Sequence, residues 1–367
     1  MLRFKKILKW FILSALVLVF TFIGFGYWFL GLIPKSNPEH ELSTTVPQSL
    51  TYLTENRIAG RGKILTVVTS IDKMGDTDKP TGYELTELSR AYYVFEANGF
   101  EVDIASPKGG KPPVIIDDED MAEFDFAFLN DSVAQRKATN TIPLAEVDHT
   151  RYSAIYFVGG KGAMFDFPEN PHIQHIIGKM YQDGKVIGAV CHGPAALVNV
   201  TLDDGRALLK DRSVSSFTNE EELFLIPNAE EIFPFLLENK LVEKGARFKD
   251  GAMYLQHVVH DDQLITGQNP WSTWKLAETM ITQMGYEPKA RVLTPEENAM
   301  LVLSSYNRLG HGAAKNLITE MTSNALEMNR TLLAMHSIVA AMQWNFGKSI
   351  QLISLTSHAK NQTSAST

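Results

Sequence analysis

Short runs of β-branched and apolar residues recur along the middle of the chain, and segments of helical periodicity lie between several of them. Such unbroken apolar runs are typical of strands that are buried on both faces of a sheet. Because strands and helices alternate, the pattern predicts an α/β fold with a mostly parallel sheet and helices on both faces. The predicted strands are 63–69, 100–105, 154–158, 185–190 and 263–266, and the predicted helices include 85–98 and 172–183.

The charge and composition limit what the protein can bind. The formal net charge is -8 over 367 residues, and no stripe of Lys and Arg is visible. Since phosphate contacts need clustered basic residues, the sequence disfavours a nucleic-acid partner. Hydrophobic residues make up 44% of the chain, which is enough for one large domain with additions or for two ordinary domains.

The N-terminus combines a basic start with a long apolar run. No charged residue occurs from Trp10 to Ile33, and about 20 apolar residues suffice to cross a bilayer as a helix. A cleaved signal peptide is the alternative, although its apolar region is usually shorter and ends in small residues. The basic residues before the run predict a single-pass transmembrane helix with a cytoplasmic N-terminus, which leaves the body periplasmic or extracellular.

The remaining chain divides by composition. Residues 34–61 are polar, contain three prolines and read as a linker. From residue 290 the pattern is helical, and apolar residues from Met321 to Phe346 are spaced by four and three, as in a heptad seam. That seam would pack on its own domain, on a second copy in a homodimer or on the membrane surface. The predicted division is an anchor at 1–33, the linker, an α/β domain at 62–289 and a C-terminal helical extension at 290–367.

The only cysteine of the chain follows a predicted buried strand. Cys191 comes after 185–190 and is followed by His192 and Gly193, an order that suits the sharp strand-to-helix turn of a nucleophile elbow. A helix N-terminus and an adjacent imidazole are expected to lower the pKa of the thiol and make it a nucleophile. The alternative is a buried small hydrophobe, which is the commoner role of a lone cysteine.

The segment 189–197, Ala-Val-Cys-His-Gly-Pro-Ala-Ala-Leu, resembles the nucleophile signature of the ThiJ/PfpI superfamily, also described as class I glutamine amidotransferase-like. It is most similar to the branch of heat-shock chaperones and glutathione-independent glyoxalase III enzymes. The resemblance covers about residues 63–285 and implies a flavodoxin-like three-layer sandwich; it includes neither the N-terminal run nor the C-terminal helices. Further segments match in the same order, at 81–88, 100–110, 158–166, 217–222, 242–248 and 264–270.

The resemblance implies roles for individual residues. Cys191 would be the nucleophile and His192 its partner, and Glu222 would complete the triad. Glu220 and Glu221 are alternatives for the third position, since a shift of one residue in the loop would exchange them.

Further matches surround the proposed nucleophile. Glu87 matches a carboxyl that the family places beside the thiol for proton transfer, although by residue type alone it would be a solvated helix residue. Gly159 and Gly160 match a glycine pair and, with Gly193, would form a pocket whose backbone N–H groups hold an oxyanion. Lys161 stands where the branch commonly has histidine, so we expect the local substrate contacts to differ.

The resemblance implies a cysteine-dependent lyase of the glyoxalase III type that converts small 2-oxoaldehydes, methylglyoxal or glyoxal, to hydroxy acids. Deglycation of proteins would use the same chemistry. The alternatives are a cysteine amidase or peptidase of the same superfamily and a membrane-tethered stress chaperone or redox sensor. No cofactor or metal is expected, because His257 and His260 lack ligand spacing and no phosphate-binding or dinucleotide motif is present.

Overall fold

The computed structural model describes residues 2–34, 42–117 and 121–366. The chain divides into two compact units: residues 37–291, and residues 1–36 together with 292–367. The first unit contains the strands, and the second is helical where it is described. The strands are β1 Gly62–Val67, β2 Tyr83–Glu84, β3 Phe100–Ser106, β4 Val114–Ile115, β5 Ile142–Pro143, β6 Ala154–Phe157, β7 Val186–Val190, β8 Ser213–Val214, β9 Arg247–Phe248, β10 Val258–Asp261 and β11 Leu264–Gly267.

Seven of these strands form one sheet in the order β10-β11-β7-β6-β1-β3-β5. All neighbours in it are parallel except β10, which pairs with β11 in the antiparallel sense. The strands β2 and β4 form a separate short pair, as do β8 and β9. The prediction of a mostly parallel sheet is therefore confirmed, and each of the five predicted strands is present within two residues of its expected bounds.

Most of the helices belong to the first unit and follow the strands that they cover. Short 3-10 helices lie at Pro47–Ser49, Leu144–Glu146, His149–Arg151, Gly193–Leu197 and Pro270–Ser272. The α-helices are α1 Leu2–Leu30, α2 Thr51–Thr54, α3 Leu85–Ala97, α4 Glu123–Asn130, α5 Ser132–Thr139, α6 Ala163–Asp166, α7 Pro171–Gln182, α8 Asn219–Leu225, α9 Ala229–Ile232, α10 Leu237–Glu243, α11 Thr273–Gln283, α12 Pro295–Leu309, α13 His311–Ser323, α14 Arg330–Met342 and α15 Phe346–Ser366.

The central sheet buries both of its faces. All four residues of β6 are buried, and they alternate between two hydrophobic clusters: Tyr156 contributes to one and Phe157 to the other. The helices α3 and α11 supply apolar side chains to the first cluster and α7 to the second. Because both faces of the sheet are buried, the sequences of its strands are unbroken apolar runs. The result is the flavodoxin-like arrangement of helix, sheet and helix layers.

The prediction of a transmembrane helix at 10–33 is wrong. Among the residues that the structure describes, no helix combines the length and the apolar character needed to cross a membrane. The apolar run had been counted by itself, whereas the helix that contains it, α1, begins at Leu2 and so takes in the basic residues before the run. Three predictions depended on this helix and are wrong with it: the single-pass topology, the periplasmic or extracellular location of the body, and the membrane as a partner.

The continuous heptad helix predicted from Met321 to Phe346 is also wrong. The helix α13 ends at Ser323, α14 begins only at Arg330, and Ala325 between them has a φ of +55°. A homodimer through such a seam stays an untested prediction.

Residues 35–41 of the predicted linker lie outside the described residues. Farther along the same segment, Leu50 and Tyr52 are buried in the cluster that covers one face of the sheet. At least this part of the segment therefore packs against the α/β core.

Candidate active site

Cys191 lies directly after β7, in a sharp turn of the backbone. Its φ is +57°, a left-handed conformation that costs free energy for any residue with a side chain. Two hydrogen bonds hold this conformation: the Cys191 N–H donates to the Gly267 carbonyl at 2.9 Å, and the Phe217 N–H donates to the Cys191 carbonyl at 2.9 Å. The turn places the thiol at the carboxyl end of the parallel strands, where sites form in sheets of this kind.

The residues after Cys191 form a tight turn and not the α-helix that we expected. A Cβ on Gly193 would overlap the carbonyl oxygen of Phe157, so this position requires glycine. The segment Gly193–Leu197 is a 3-10 helix of five residues with a proline in its first turn. Because so short a segment has a small dipole, the expected effect of a helix N-terminus on the thiol has little structural basis.

The structure brings Cys191, His192 and Glu222 together in a hydrogen-bonded row. The thiol sulfur lies 3.3 Å from Nδ1 of His192, and Nε2 of the same ring lies 2.6 Å from Oε2 of Glu222. All three residues are buried. The rings of Phe217 and Phe233 also pack near the imidazole, with centroid distances of 4.9 and 6.3 Å, and nothing in the sequence had connected Phe233 with the site.

The neighbouring glutamates have other positions. Glu221 is fully buried, and Thr218, Tyr254, Gln268 and Asn269 all donate hydrogen bonds to its carboxylate. Glu221 therefore stabilises the loop around α8. Both of its carboxylate oxygens are occupied by these hydrogen bonds and do not bind the imidazole of His192. Glu220 is exposed to solvent. Of the three glutamates considered from the sequence, Glu222 is the one that reaches His192.

Glu87 lies beside the cysteine on the first turn of α3 and is completely buried. Its Oε2 accepts a hydrogen bond from the Gly159 N–H at 2.6 Å, while Oε1 is buried with no hydrogen-bond partner among the described residues. A Cβ on Gly159 would lie 2.6 Å from Glu87 Oε2 and 2.8 Å from the Cys191 Cβ. Glycine is therefore required at position 159, just after β6. The Glu87 carboxyl group lies close to the backbone turn at Cys191.

Burial dominates the electrostatics of the site. It raises the pKa of Glu87 well above its usual range, and the charge of Glu84 raises it further. Burial likewise raises the pKa of the Cys191 thiol, with added effects from the charges of Glu87 and Glu84. Burial also acts to raise the pKa of Glu222, but the charge and hydrogen bond of His192 outweigh it and lower that pKa. The direction for Cys191 is opposite to the one expected from the sequence.

Backbone N–H groups near the thiol differ in what they can still bind. The N–H of Gly159 is occupied by Glu87. The N–H groups of Gly160 and His192 donate to no group in the described part of the chain. They are the candidate donors to an oxyanion formed beside Cys191.

Of two further charged residues near the thiol, Glu84 was not connected with the site from the sequence, and Lys161 was expected only to change the local substrate contacts. Glu84 is the N-cap residue of α3, three residues before Glu87, and its charge acts on Glu87 and Cys191. Lys161 follows the glycine pair after β6, and its charge acts on Glu84, Glu87 and Cys191. The three-residue spacing of the glutamates was a visible signal, whereas the approach of Lys161 depends on the packing of 159–161 against 82–84.

Comparison with known proteins gives a consistent result. Residues 80–216 match the model of the DJ-1/PfpI family, a range that includes Glu87, Cys191 and His192. The probable glutathione-independent glyoxalase HSP32 of Saccharomyces cerevisiae is 32% identical over 213 residues, which cover 53% of this chain and 85% of the relative. Glyoxalase 3 of Candida albicans is 30% identical over 237 residues, which cover 60% of this chain and 97% of the relative.

A solved structure shares the fold. The crystal structure of Rapid Encystment Protein 24 kDa from Francisella tularensis superimposes with a TM-score of 0.58 at 34% sequence identity. The match covers 61% of this chain and 99% of that chain.

Proposed function

Since the chain belongs to the DJ-1/PfpI family and, within it, to the glutathione-independent glyoxalase III branch, we propose that it converts 2-oxoaldehydes such as methylglyoxal and glyoxal to 2-hydroxy acids through Cys191. The observation that carries this proposal is the row of Cys191, His192 and Glu222 with the buried carboxyl of Glu87 beside it. A nucleophile and two separate proton-transfer groups are what such a rearrangement requires.

The first step forms a covalent bond to the substrate. His192 takes the thiol proton at Nδ1, because Glu222 at Nε2 favours the tautomer that leaves Nδ1 free to accept it. The sulfur then attacks the aldehyde carbon, and the electron pair of the C=O double bond moves to the oxygen. The N–H groups of Gly160 and His192 stabilise the oxyanion until a proton from the imidazole converts it to a hemithioacetal.

The second step moves hydrogen between the two carbonyl carbons. A base removes the proton from the carbon bonded to sulfur, the electron pair forms a C=C bond to the neighbouring carbon, and the oxygen of that carbonyl takes a proton from an acid, which gives an enediol. His192 and Glu87 are the two candidates for these proton transfers; because burial favours the protonated form of Glu87, its carboxyl group suits the acid and the neutral imidazole suits the base. Return of a proton to the neighbouring carbon, with loss of the hydroxyl proton from the carbon bonded to sulfur, gives a thioester of the 2-hydroxy acid.

Water completes the reaction by hydrolysis of the thioester, which releases the hydroxy acid and regenerates the thiol. One carbon is oxidised and its neighbour is reduced, so the conversion needs no external electron acceptor. The cysteine takes the part that the thiol of glutathione would otherwise supply. Attack on a sugar-derived adduct of a protein side chain would follow the same steps and appear as deglycation.

The test is lactate formation from methylglyoxal by the full-length protein without glutathione. We expect turnover by the parent and only background conversion by Cys191→Ser, because the hydroxyl is a far weaker nucleophile at neutral pH. If the parent gives no lactate while its thiol still reacts with iodoacetamide, the proposal is wrong and amide substrates become the better candidates.

The third member of the row has a matched control two residues away. In Glu222→Gln the amide NH2 would donate to His192 Nε2 and so favour the tautomer with its proton on Nδ1, where it cannot accept the thiol proton. We expect kcat to fall about 100-fold or more, whereas exposed Glu220→Gln should change it less than about twofold. Equal activity of the two variants would exclude the acid role of Glu222 and favour a sensor or chaperone.

A further inference from the structure

Lys161 occupies an unusual place at the rim of the site. The backbone before it is fixed on two sides: a Cβ on Gly160 would overlap the Gly82 carbonyl oxygen, and a Cβ on Gly159 would lie 2.8 Å from the Cys191 Cβ. The Lys161 side chain is half-buried and forms no hydrogen bond or ion pair with the described residues. The ammonium group therefore has hydrogen-bond donors that remain available to water or to a ligand.

None of the described carboxyl groups around the thiol forms a hydrogen bond or an ion pair with the Lys161 ammonium. Glu222 bonds to His192, and Glu87 bonds to the Gly159 N–H with a pKa that burial raises toward the neutral form. Glu84 is half-buried, and its side chain forms no hydrogen bond or ion pair with the described residues either. Within the described part of the chain, the Lys161 ammonium and the Glu84 carboxyl group therefore have no hydrogen-bond or ion-pair partner, and they act on each other only through their charges.

The charge of Lys161 reaches the reacting atoms. In Cys191, Glu84 and Glu87 burial is the main effect and raises the pKa, and Lys161 opposes it by lowering each pKa. Lys161 also contributes to the lowered pKa of Glu222. A positive charge with this reach stabilises any anion that enters the space beside the sulfur.

We propose that Lys161 makes the site selective for substrates that carry a carboxylate on the substituent attached to the reacting carbonyl groups. This inference rests on the proposed glyoxalase function and names its substrate class: a 2-oxoaldehyde whose substituent ends in a carboxylate. A single ammonium matches the single charge of a carboxylate, whereas a phosphate of nearly twice that charge is better held by several donors or by the fork of an arginine. Lys161 is thus a specificity-determining residue.

Glu84 opposes this selectivity. When ionised, its carboxylate repels an anionic substituent and attracts the Lys161 ammonium. Removal of that charge in Glu84→Gln should therefore increase the preference for anions, while removal of the ammonium should abolish it. The two changes have opposite signs, which a general disturbance of the site would not produce.

The first experiment compares alkylation of Cys191 by iodoacetate and by iodoacetamide, which differ in one carboxylate. The chain has a single cysteine, so the rate for the full-length protein reports on this site alone. We expect the ratio of the iodoacetate rate to the iodoacetamide rate to fall roughly tenfold in Lys161→Met. It should stay within about twofold of the parent in Lys161→Arg and should rise in Glu84→Gln.

Lys179 supplies the control: it lies on α7, is half-buried like Lys161, and pairs with Asp203. Lys179→Met removes the same charge from the chain and should leave the ratio unchanged. An unchanged ratio in Lys161→Met, or an equal fall in Lys179→Met, would overturn the inference. If Lys161→Met does not fold, Lys161→Gln and the opposite change in Glu84→Gln decide the question.

The second experiment compares turnover of two five-carbon 2-oxoaldehydes, 4,5-dioxopentanoate and 2-oxopentanal, which differ in a terminal carboxylate and methyl group. We expect the parent to favour the anionic substrate in kcat/KM and Lys161→Met to lose that preference. Turnover of both aldehydes with a ratio independent of Lys161 overturns the selectivity and leaves the glyoxalase function intact. If neither aldehyde is turned over, the proposed function fails, and the alkylation ratio still tests Lys161.

Discussion

At the scale of single residues, the pair of Glu87 and Cys191 sets the protonation state of the site. Both groups are buried, and burial raises the pKa of each, so the two cannot both be charged at modest cost. Ionisation of one group therefore makes ionisation of the other less favourable, so at most one of the two is charged at a time. When the sulfur is ionised, the Glu87 carboxyl keeps its proton and can donate it to the substrate. Burial of Glu87 therefore favours a role as a proton donor.

This arrangement predicts a pH-dependent cost to stability. A raised pKa in the folded state means that the folded protein holds a proton that the unfolded chain releases above its ordinary pKa of 4.5. The free energy of unfolding should therefore decrease as pH rises from that value through the folded pKa, by up to about 1.4 kcal/mol per pH unit. In Glu87→Gln this contribution disappears. The free energy of unfolding, measured with urea between pH 5 and 8, should therefore decrease less with pH than in the parent.

The exposed Glu230 on α9 provides the control, because Glu230→Gln removes a carboxyl group that is already solvated. Its pH profile should follow that of the parent. The Cys191 thiol contributes only above its ordinary value of 9.0, outside the measured range. A Glu87→Gln variant that keeps the full decline of the parent would show that Glu87 is ionised in the folded protein.

At the scale of elements, the ends of helices explain where sequence periodicity failed. The seam that began at Met321 has the right spacing for one long helix, but the backbone closes α13 with two hydrogen bonds: the Leu326 N–H donates to Met321 and the Ala325 N–H to Thr322. This is the pattern of a Schellman cap, in which the residue after the C-cap is left-handed. Ala325 takes that conformation at φ +55° without being glycine.

The cap predicts a stabilising substitution. Glycine adopts a left-handed backbone without the strain that alanine incurs, so Ala325→Gly should raise the free energy of unfolding by about 0.5–1 kcal/mol, after the cost of a more flexible unfolded chain. Asn324→Gly next to it is the control, since Asn324 has a φ of -93° and gains no relief. Urea unfolding followed by far-UV circular dichroism checks both; a gain in both variants, or in neither, would contradict the strain.

At the scale of the molecule, the central fold was predictable and its boundaries were not. Parallel strands buried on both faces leave an unbroken apolar signal, which is why β6 and β7 were predicted with nearly correct bounds. Edge strands have no such signal, and β5 consists of only two residues. The cysteine turn was visible from its glycines and family resemblance, whereas the sign of the thiol pKa depended on burial, and the approach of Lys161 depended on packing between distant segments.

Asn98 shows how distant parts of the α/β unit are joined in a way that periodicity does not reveal. This buried residue ends α3, and its Nδ2 donates to the Tyr52 hydroxyl at 3.3 Å and to the Val94 carbonyl at 2.8 Å. Its Oδ1 accepts from the Lys289 N–H at 2.8 Å. One side chain therefore ties the segment before the sheet to the segment after α11, across 46 and 191 residues of sequence.

We expect Asn98→Ala to lower the free energy of unfolding by about 2–4 kcal/mol, because it leaves the buried Tyr52 hydroxyl and the partly buried Lys289 N–H without this partner. Asn140 is the matched control: it caps α5, donates to the carbonyl four residues before it at 2.9 Å, and is exposed. Asn140→Ala should cost less than about 1 kcal/mol. Urea denaturation measures both losses; equal losses would mean that Asn98 acts only as a local cap and that the two ends of the unit are held by other contacts.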